Sequence, residues 1–188
     1  KYNFKGIIEN ECLELEYISA YLKQNNQNVY VYDGQVESMS VKNAIEKYNP
    51  HVVYVCGRTR QENFMLEYCQ EAKNYNKNIV TIIGGLHAQL CYERMYKEQV
   101  DFIVTSYDIS NILMLSQYYN CIGDFDETAH DIEGLCYKKN GVWKHNDAKP
   151  HDINLLPRPD RSYFMEHPDN YRYLELKHAV WLRTAYSC

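Results

Sequence analysis

"NIVTIIGGLHA", residues 78–88, decides the fold. Residues 78–83 are almost wholly apolar, with only Asn78 and Thr81 polar, which is the pattern of a β-strand covered on both faces. Two glycines close the strand, and "AQLCYERMYK" (88–97) then takes up helical spacing. A two-sided strand passing straight into a helix is half of a βαβ unit. Similar pieces lie on either side. "HVVYVCG" (51–57) and "VDFIVTS" (100–106) read as further buried strands, and "QENFMLEYCQEAKNY" (61–75) as the helix between the first two. "SVKNAIEKY" (40–48) is a helix with Ser40 as N-cap, stopped before Pro50. "DISNILMLSQYY" (108–119) is another, with Asp108 as N-cap. Towards the N-terminus, "ECLELEYISAYLKQ" (11–24) places Leu13, Tyr17, Ile18, Tyr21 and Leu22 on one helical stripe, and "NVYVYD" (28–33) has the composition of a strand. A fifth strand is expected ahead of the first helix, but "KYNFKGIIEN" supplies only a weak one. The alternation predicts a doubly wound α/β fold, flavodoxin-like or Rossmann-like, with a mainly parallel sheet and helices on both faces.

The bulk numbers agree with a folded domain and exclude some functions. The chain has 188 residues, 45% of them hydrophobic, and a net charge of −5. An acidic balance argues against a dedicated nucleic-acid binder and against a polybasic membrane anchor. No apolar run approaches the roughly 20 residues that span a bilayer. The seven cysteines, at 12, 56, 69, 91, 121, 136 and 188, are odd in number and form no CxxC pair. Most fall in apolar segments, as small hydrophobes do, and a reducing cytoplasm is the expected location. The chain starts at Lys1 and stops at Cys188 in mid-pattern, so both ends read as cuts.

Beyond Tyr119 the pattern changes. "IEGLCYKKNGVWKHN" (132–146) reads as a hairpin turning at Asn140-Gly141. "AKPHDINLLPRPDRSYF" (148–164) carries three prolines and reads as an ordered crossing segment. "HAVWL" (178–182) returns to strand pattern. The expected organisation is an α/β domain over residues 1–120, a hairpin and Pro-rich connector over 121–177, and the beginning of another domain over 178–188.

Ligands of open parallel sheets sit at the carboxyl ends of the strands, near the point where strand order reverses. The residues that follow the strands are therefore the candidates: Gly57, Arg58, Thr59 and Arg60 after the first buried strand, Gly84, Gly85, Leu86 and His87 after the second, and Thr105, Ser106 and Tyr107 after the third. The glycine pair allows a positive φ and close approach of a ligand to bare backbone, with a helix start beyond it; a tight βα turn without ligand carries the same signature. Arg58 and Arg60 suit phosphate or amide groups, and equally a solvated loop. GxGxxG and the P-loop pattern are absent, as are HExxH and paired-cysteine metal spacings. No catalytic triad can be assembled, so no catalytic residue is assigned.

Taken in order, "LELEYISAYLKQNNQNVYVYD", "YNPHVVYVCGRT", "IVTIIGGLHA" and "VDFIV" resemble the N-terminal cobalamin-binding domain of cobalamin-dependent radical S-adenosylmethionine enzymes. In that family a GGxHA stretch follows the strand, here Gly84 to Ala88. "INLLPRPDRSYF" resembles the family's LPxPDR connector, and "AVWLRTAYSC" resembles the first strand of its radical barrel, which runs into C-x-x-x-C-x-x-C. The resemblance implies cobalamin as cofactor, with Gly57, Arg58, Thr59, Gly84, Gly85, Leu86, His87, Ser106 and Tyr107 facing it and the nucleotide tail against Gly84-Gly85. It implies that Cys188 is the first cysteine ligand of a four-iron four-sulfur cluster that binds S-adenosylmethionine, with a small-molecule or peptide substrate held in the barrel. Methyl transfer or cyclase-type chemistry belongs to such enzymes, and these 188 residues alone are expected to be inactive. The D-x-H-x-x-G signature is absent, so no axial histidine is expected from that motif. "TSYDIS" replaces a GEGE-like run in the third loop. That departure keeps open an alternative, a flavodoxin-like scaffold or partner-binding domain that no longer takes cobalamin.

Overall fold

The computed structural model describes residues 8–117 and 129–182. Cys188 and the linker around residues 121–128 lie outside the described residues. The chain divides into two compact units, Val41–His151 and a second formed by Lys1–Ser40 with Asp152–Cys188.

The unit of residues 41–151 carries a five-stranded sheet in the order β2-β3-β4-β5-β6. Strands β2 (Val52–Cys56), β3 (Val80–Gly84) and β4 (Phe102–Val104) are parallel, with Val52 opposite Val80 and Ile82 opposite Phe102. Strands β5 (Leu135–Lys139) and β6 (Val142–His145) continue the sheet antiparallel, with Ile103 opposite Cys136 and Cys136 opposite His145. The hairpin thus belongs to the sheet instead of following it. A buried parallel sheet leaves β4 as an open edge, and an antiparallel hairpin satisfies the backbone groups there. Asn140 (φ 51°) and Gly141 (φ 76°) both take the left-handed conformation that a two-residue type I′ turn needs.

Side chains alternate between the two faces of this sheet. On one, Val55, Ile83, Ile103 and Cys136 meet Met65 and Cys69 of α3 (Glu62–Tyr75), Ala88 of α4 (Leu86–Cys91) and Met95. Helix α2 (Val41–Tyr48) adds Ile45 against Ala72 and Ile79. It ends where Asn49 turns left-handed (φ 44°) ahead of Pro50. On the other face, Ile82, Val104, Leu135 and Tyr137 pack with Leu115 of α5 (Ser110–Gln117), Ala129 and Ile132. Helices therefore cover both faces, as the α/β reading required. Asp108 accepts the Ser110 amide at 2.9 Å and so secures the start of α5. The helical reading of 88–97 is broken in two, because α4 gives way to a 3-10 turn over Tyr92–Met95.

The other unit holds β1 (Ile8–Glu9), α1 (Leu13–Gln24), α6 (Ser162–Glu166), β7 (Arg172–Tyr173) and β8 (Leu176–Lys177). Its small antiparallel sheet has the order β1-β7-β8. Two expectations fail here. Residues 28–33 join no strand ladder. Asp33 is instead held by side chains, accepting the Tyr171 hydroxyl at 3.0 Å, and Tyr30 of the segment is 63% exposed. Residues 178–182 form no strand either; the Trp181 amide donates to Glu11 at 2.6 Å and its carbonyl accepts from Arg161 at 2.7 Å. The buried side of α1 also differs from the apolar stripe, since Glu16 and Ser19 are buried along with Leu13, Ile18 and Ala20. The Ser19 hydroxyl donates to Asp160 at 2.7 Å, whereas Glu16 Oε2 lies 3.6 Å from Arg161 and has no hydrogen-bond partner among the described residues.

Among the described residues no helix is long and apolar enough to cross a membrane, and no group of three or more His, Cys, Asp or Glu side chains could hold a metal ion.

Candidate functional site at the carboxyl edge of the parallel strands

The loops after β2, β3 and β4 lie side by side, because those strands are parallel neighbours in register. Cys56 pairs with Gly84, which sets Gly57 and Gly85 at the same level of the sheet. The three strands progress in one direction across the sheet, so no reversal of strand order marks the place; the carboxyl edge alone does.

Each glycine in this edge has its own reason. Gly85 has φ 89° and ψ 174°, a region open in practice to glycine alone. Its buried backbone turns the chain from β3 into α4, and its carbonyl accepts the Gln89 amide at 3.0 Å. Gly57 is tight against α3, where a Cβ would meet Met65 Sδ at 3.0 Å. Gly84 leaves room for a side chain from the neighbouring strand. A Cβ there would lie 2.7–2.8 Å from Cζ and Cε2 of Tyr54, and closer still to the hydroxyl.

His87 is the most tightly held member of the edge, with 4% of its surface exposed. Its Nε2 lies 2.8 Å from Glu62 Oε2 and its Nδ1 3.2 Å from Thr59 Oγ1. A carboxylate accepts, so Nε2 carries the proton and Nδ1 takes the threonine hydroxyl's hydrogen. Glu62 is gripped in turn by Arg94, whose Nε and Nη2 donate at 2.8 and 3.1 Å. These bonds from Arg94, followed by those from His87, hold the Glu62 carboxyl below its ordinary range despite partial burial. Both imidazole nitrogens are thus engaged within the protein. The first loop, the start of α3 and the glycine turn are tied into one piece by this histidine. The sequence set His87 among the residues expected to face a ligand; in the fold its two ring nitrogens lie against Glu62 and Thr59.

The remaining candidates divide. Arg58, Thr59 and Arg60 are exposed on the short turn before α3, where the Arg58 amide donates to Gln61 Oε1 at 2.8 Å. Leu86 is 57% exposed, and Leu90, one turn further along α4, is 73% exposed, so the rim beside the glycine turn is apolar. Ser106 is drawn away to the hairpin side. Its Oγ accepts from Asn111 at 2.9 Å, and it stands against Gly134. Thr105 belongs to that same junction, donating to the Gly134 carbonyl at 2.9 Å with His145 Nε2 3.1 Å from its hydroxyl. Tyr107 is half-buried on the third loop. Helix α4 has six residues, too short for its amino end to act as an anion site by itself.

Sequence reasoning missed Tyr54, Glu62 and Arg94. Tyr54 could have been found from strand alternation, which sets it on the same face as Gly84 of the adjacent strand. Glu62 and Arg94 lie 32 residues apart and carry no local signal of their pairing.

The edge fits a flat, polyamide cofactor in its chemistry: glycine turns without side chains at Gly57 and Gly85, an apolar rim at Leu86 and Leu90, and the exposed guanidinium of Arg58. Residues 10–109 match the family described as "B12 binding domain". Over 165 residues the chain is also 24% identical to an uncharacterized methyltransferase of Pyrococcus horikoshii. That alignment takes in 85% of this chain but only 35% of the relative, so the chain spans about a third of that protein's length. Since the family match covers more than half of the 188 residues and the sheet, helices and glycine turn are in place, the chain belongs to the B12-binding domain family.

Proposed function

We propose that this chain is the cobalamin-binding part of a radical S-adenosylmethionine enzyme that performs methyl transfer or cyclase-type chemistry. The observation that carries the cofactor half is the buried, left-handed Gly85 at the carboxyl edge of the parallel strands, inside the segment that matches the B12-binding family. The methyltransferase half draws on the relative's name and on the order of motifs from residue 132 onward. In this reading the corrinoid carries a methyl group between donor and substrate. Gly57 and Gly85 bring main chain close to it. Arg58 offers donors to its amides, and Leu86 gives an apolar contact. Tyr107 forms the third side, while Ser106 is held at the hairpin junction by Asn111. His87 serves by locking the glycine turn. Cys188 would begin the cysteine triad that holds a four-iron four-sulfur cluster, whose open iron binds S-adenosylmethionine.

Two measurements test the proposal. The purified chain is mixed with hydroxocobalamin, desalted, and examined by visible absorbance. Stoichiometric retained corrinoid is expected, and an empty protein would refute the cofactor assignment. Reading the gene beyond Cys188 tests the other half. Two more cysteines at C-x-x-x-C-x-x-C spacing are expected, and their absence would sink the radical-enzyme assignment.

A further inference from the structure

Gly84 and Gly85 are adjacent but lack a side chain for different reasons. Only Gly85 has a positive φ; Gly84 does not. What Gly84 provides is space, and Tyr54 fills it: the hydroxyl, Cζ and Cε2 of the phenol all lie within 3 Å of where a Cβ would stand. The placement follows from the strands. Tyr54 pairs with Ile82 in the parallel register, and Gly84, two residues on, shares the face of Ile82. The Tyr54 side chain leans along its strand toward the carboxyl end and ends over the glycine. Its ring also packs against the cluster of Ile82, Val104 and Leu135, so this position is supported by apolar contact.

A phenol over Gly84 takes the volume that a nucleotide base lying against the same glycine would need. Two rings cannot share it, and moving the tyrosine out forfeits its packing. We propose that Tyr54 determines corrinoid specificity: its ring closes the space above Gly84 to the aromatic base of the lower nucleotide, so that the domain recognises the corrin ring and its amides and gains nothing from the tail. This rests on the cobalamin-binding reading above.

The test compares two probes, cyanocobalamin and dicyanocobinamide, the second lacking the nucleotide tail. Affinities are measured by equilibrium dialysis on the full chain, on Tyr54→Ala and on Tyr54→Phe. The parent protein is expected to bind the two probes within about threefold of each other, and Tyr54→Ala to favour cyanocobalamin by about tenfold or more. Tyr54→Phe keeps the ring and should keep the parent's ratio. Because each ratio is taken within one variant, loss of folded protein affects both probes alike and cancels. A parent that already prefers cyanocobalamin by about tenfold, with Tyr54→Ala leaving that preference intact, overturns the inference while upholding cobalamin binding. Failure of the parent and of Tyr54→Ala to bind either probe overturns both readings.

Discussion

Replacing His87 with alanine separates a structural strut from a cobalt ligand. The imidazole makes two buried hydrogen bonds, one to the Glu62 carboxylate and one to the Thr59 hydroxyl. A bond to a charged partner contributes about 2 kcal/mol and a neutral one about 1 kcal/mol, so His87→Ala should destabilise the unit of residues 41–151 by about 3 kcal/mol. Glu62 keeps its two bonds from Arg94, which limits the penalty of the orphaned carboxylate. For a unit of this size the loss corresponds to a fall in melting temperature of about 10–20 °C. Urea denaturation followed by far-UV circular dichroism measures it. His87→Asn and His87→Gln should recover part of the loss by renewing one of the two bonds. With corrinoid added, the visible spectrum of whatever binds to His87→Ala should match that of the parent, because both ring nitrogens are already occupied within the protein. A variant as stable as the parent, with a bound corrinoid whose spectrum shifts, would refute the reasoning and make His87 an axial ligand.

Gly85→Ala should cost about 1–3 kcal/mol, since φ 89° with ψ 174° strains any residue bearing a Cβ; Gly141→Ala, at φ 76° in an open turn, should cost less, and parallel urea titrations compare the two. Cys69 and Cys136 have no exposed surface, and burial pushes both thiols up to about 12, so a maleimide at pH 8 should label neither while the protein is folded; mass spectrometry of the labelled peptides checks this, and fast labelling of either would contradict the packing. Burial, reinforced by neighbouring Glu11 and opposed by Arg161, pushes Glu16 up to about 8 from its ordinary 4.5. The folded state therefore holds this proton more tightly than the unfolded chain. Its contribution is complete below about pH 4.5 and is lost as pH rises through about 8, at up to about 1.4 kcal/mol per pH unit. Amide exchange of α1 should accelerate across that window, and Glu16→Gln should flatten the dependence; exchange that slows with stability as pH rises, after correction for intrinsic rates, would contradict it.

The sheet unit was legible because its signals are local. Runs such as Val52–Cys56 and Val80–Gly84 are apolar on both faces, and only a strand between two helical layers satisfies that pattern. Asn140-Gly141 announced its turn by conformation alone, and Gly84-Gly85 announced a place where backbone is bare. Other features depended on partners far along the chain. "NVYVYD" has strand composition, but composition does not supply a neighbouring strand, and Asp33 is held instead by Tyr171, 138 residues away. Helix α1 showed an apolar stripe, yet Asp160 draws Ser19 inside, because a buried polar group is tolerated where a complementary one arrives, and Glu16 is buried beside it with its carboxyl pushed toward the neutral form. The hairpin was readable, and its addition to β4 was not, since an unsatisfied strand edge exists only once the sheet is assembled.

The site divides in the same way. By itself the sequence determined that bare backbone follows the buried strand, for glycine's freedom is a property of the residue. Which glycine bends the chain and which makes room was decided by tertiary structure. Gly85 alone has the left-handed φ, and Gly84 is small because Tyr54 comes to it from the next strand. His87 looked like a free loop residue until Glu62 and Thr59 were brought to its two nitrogens. A side chain's chemistry is written in its type, but whether that chemistry is offered to a ligand or consumed within the protein depends on which groups the fold sets within hydrogen-bonding distance.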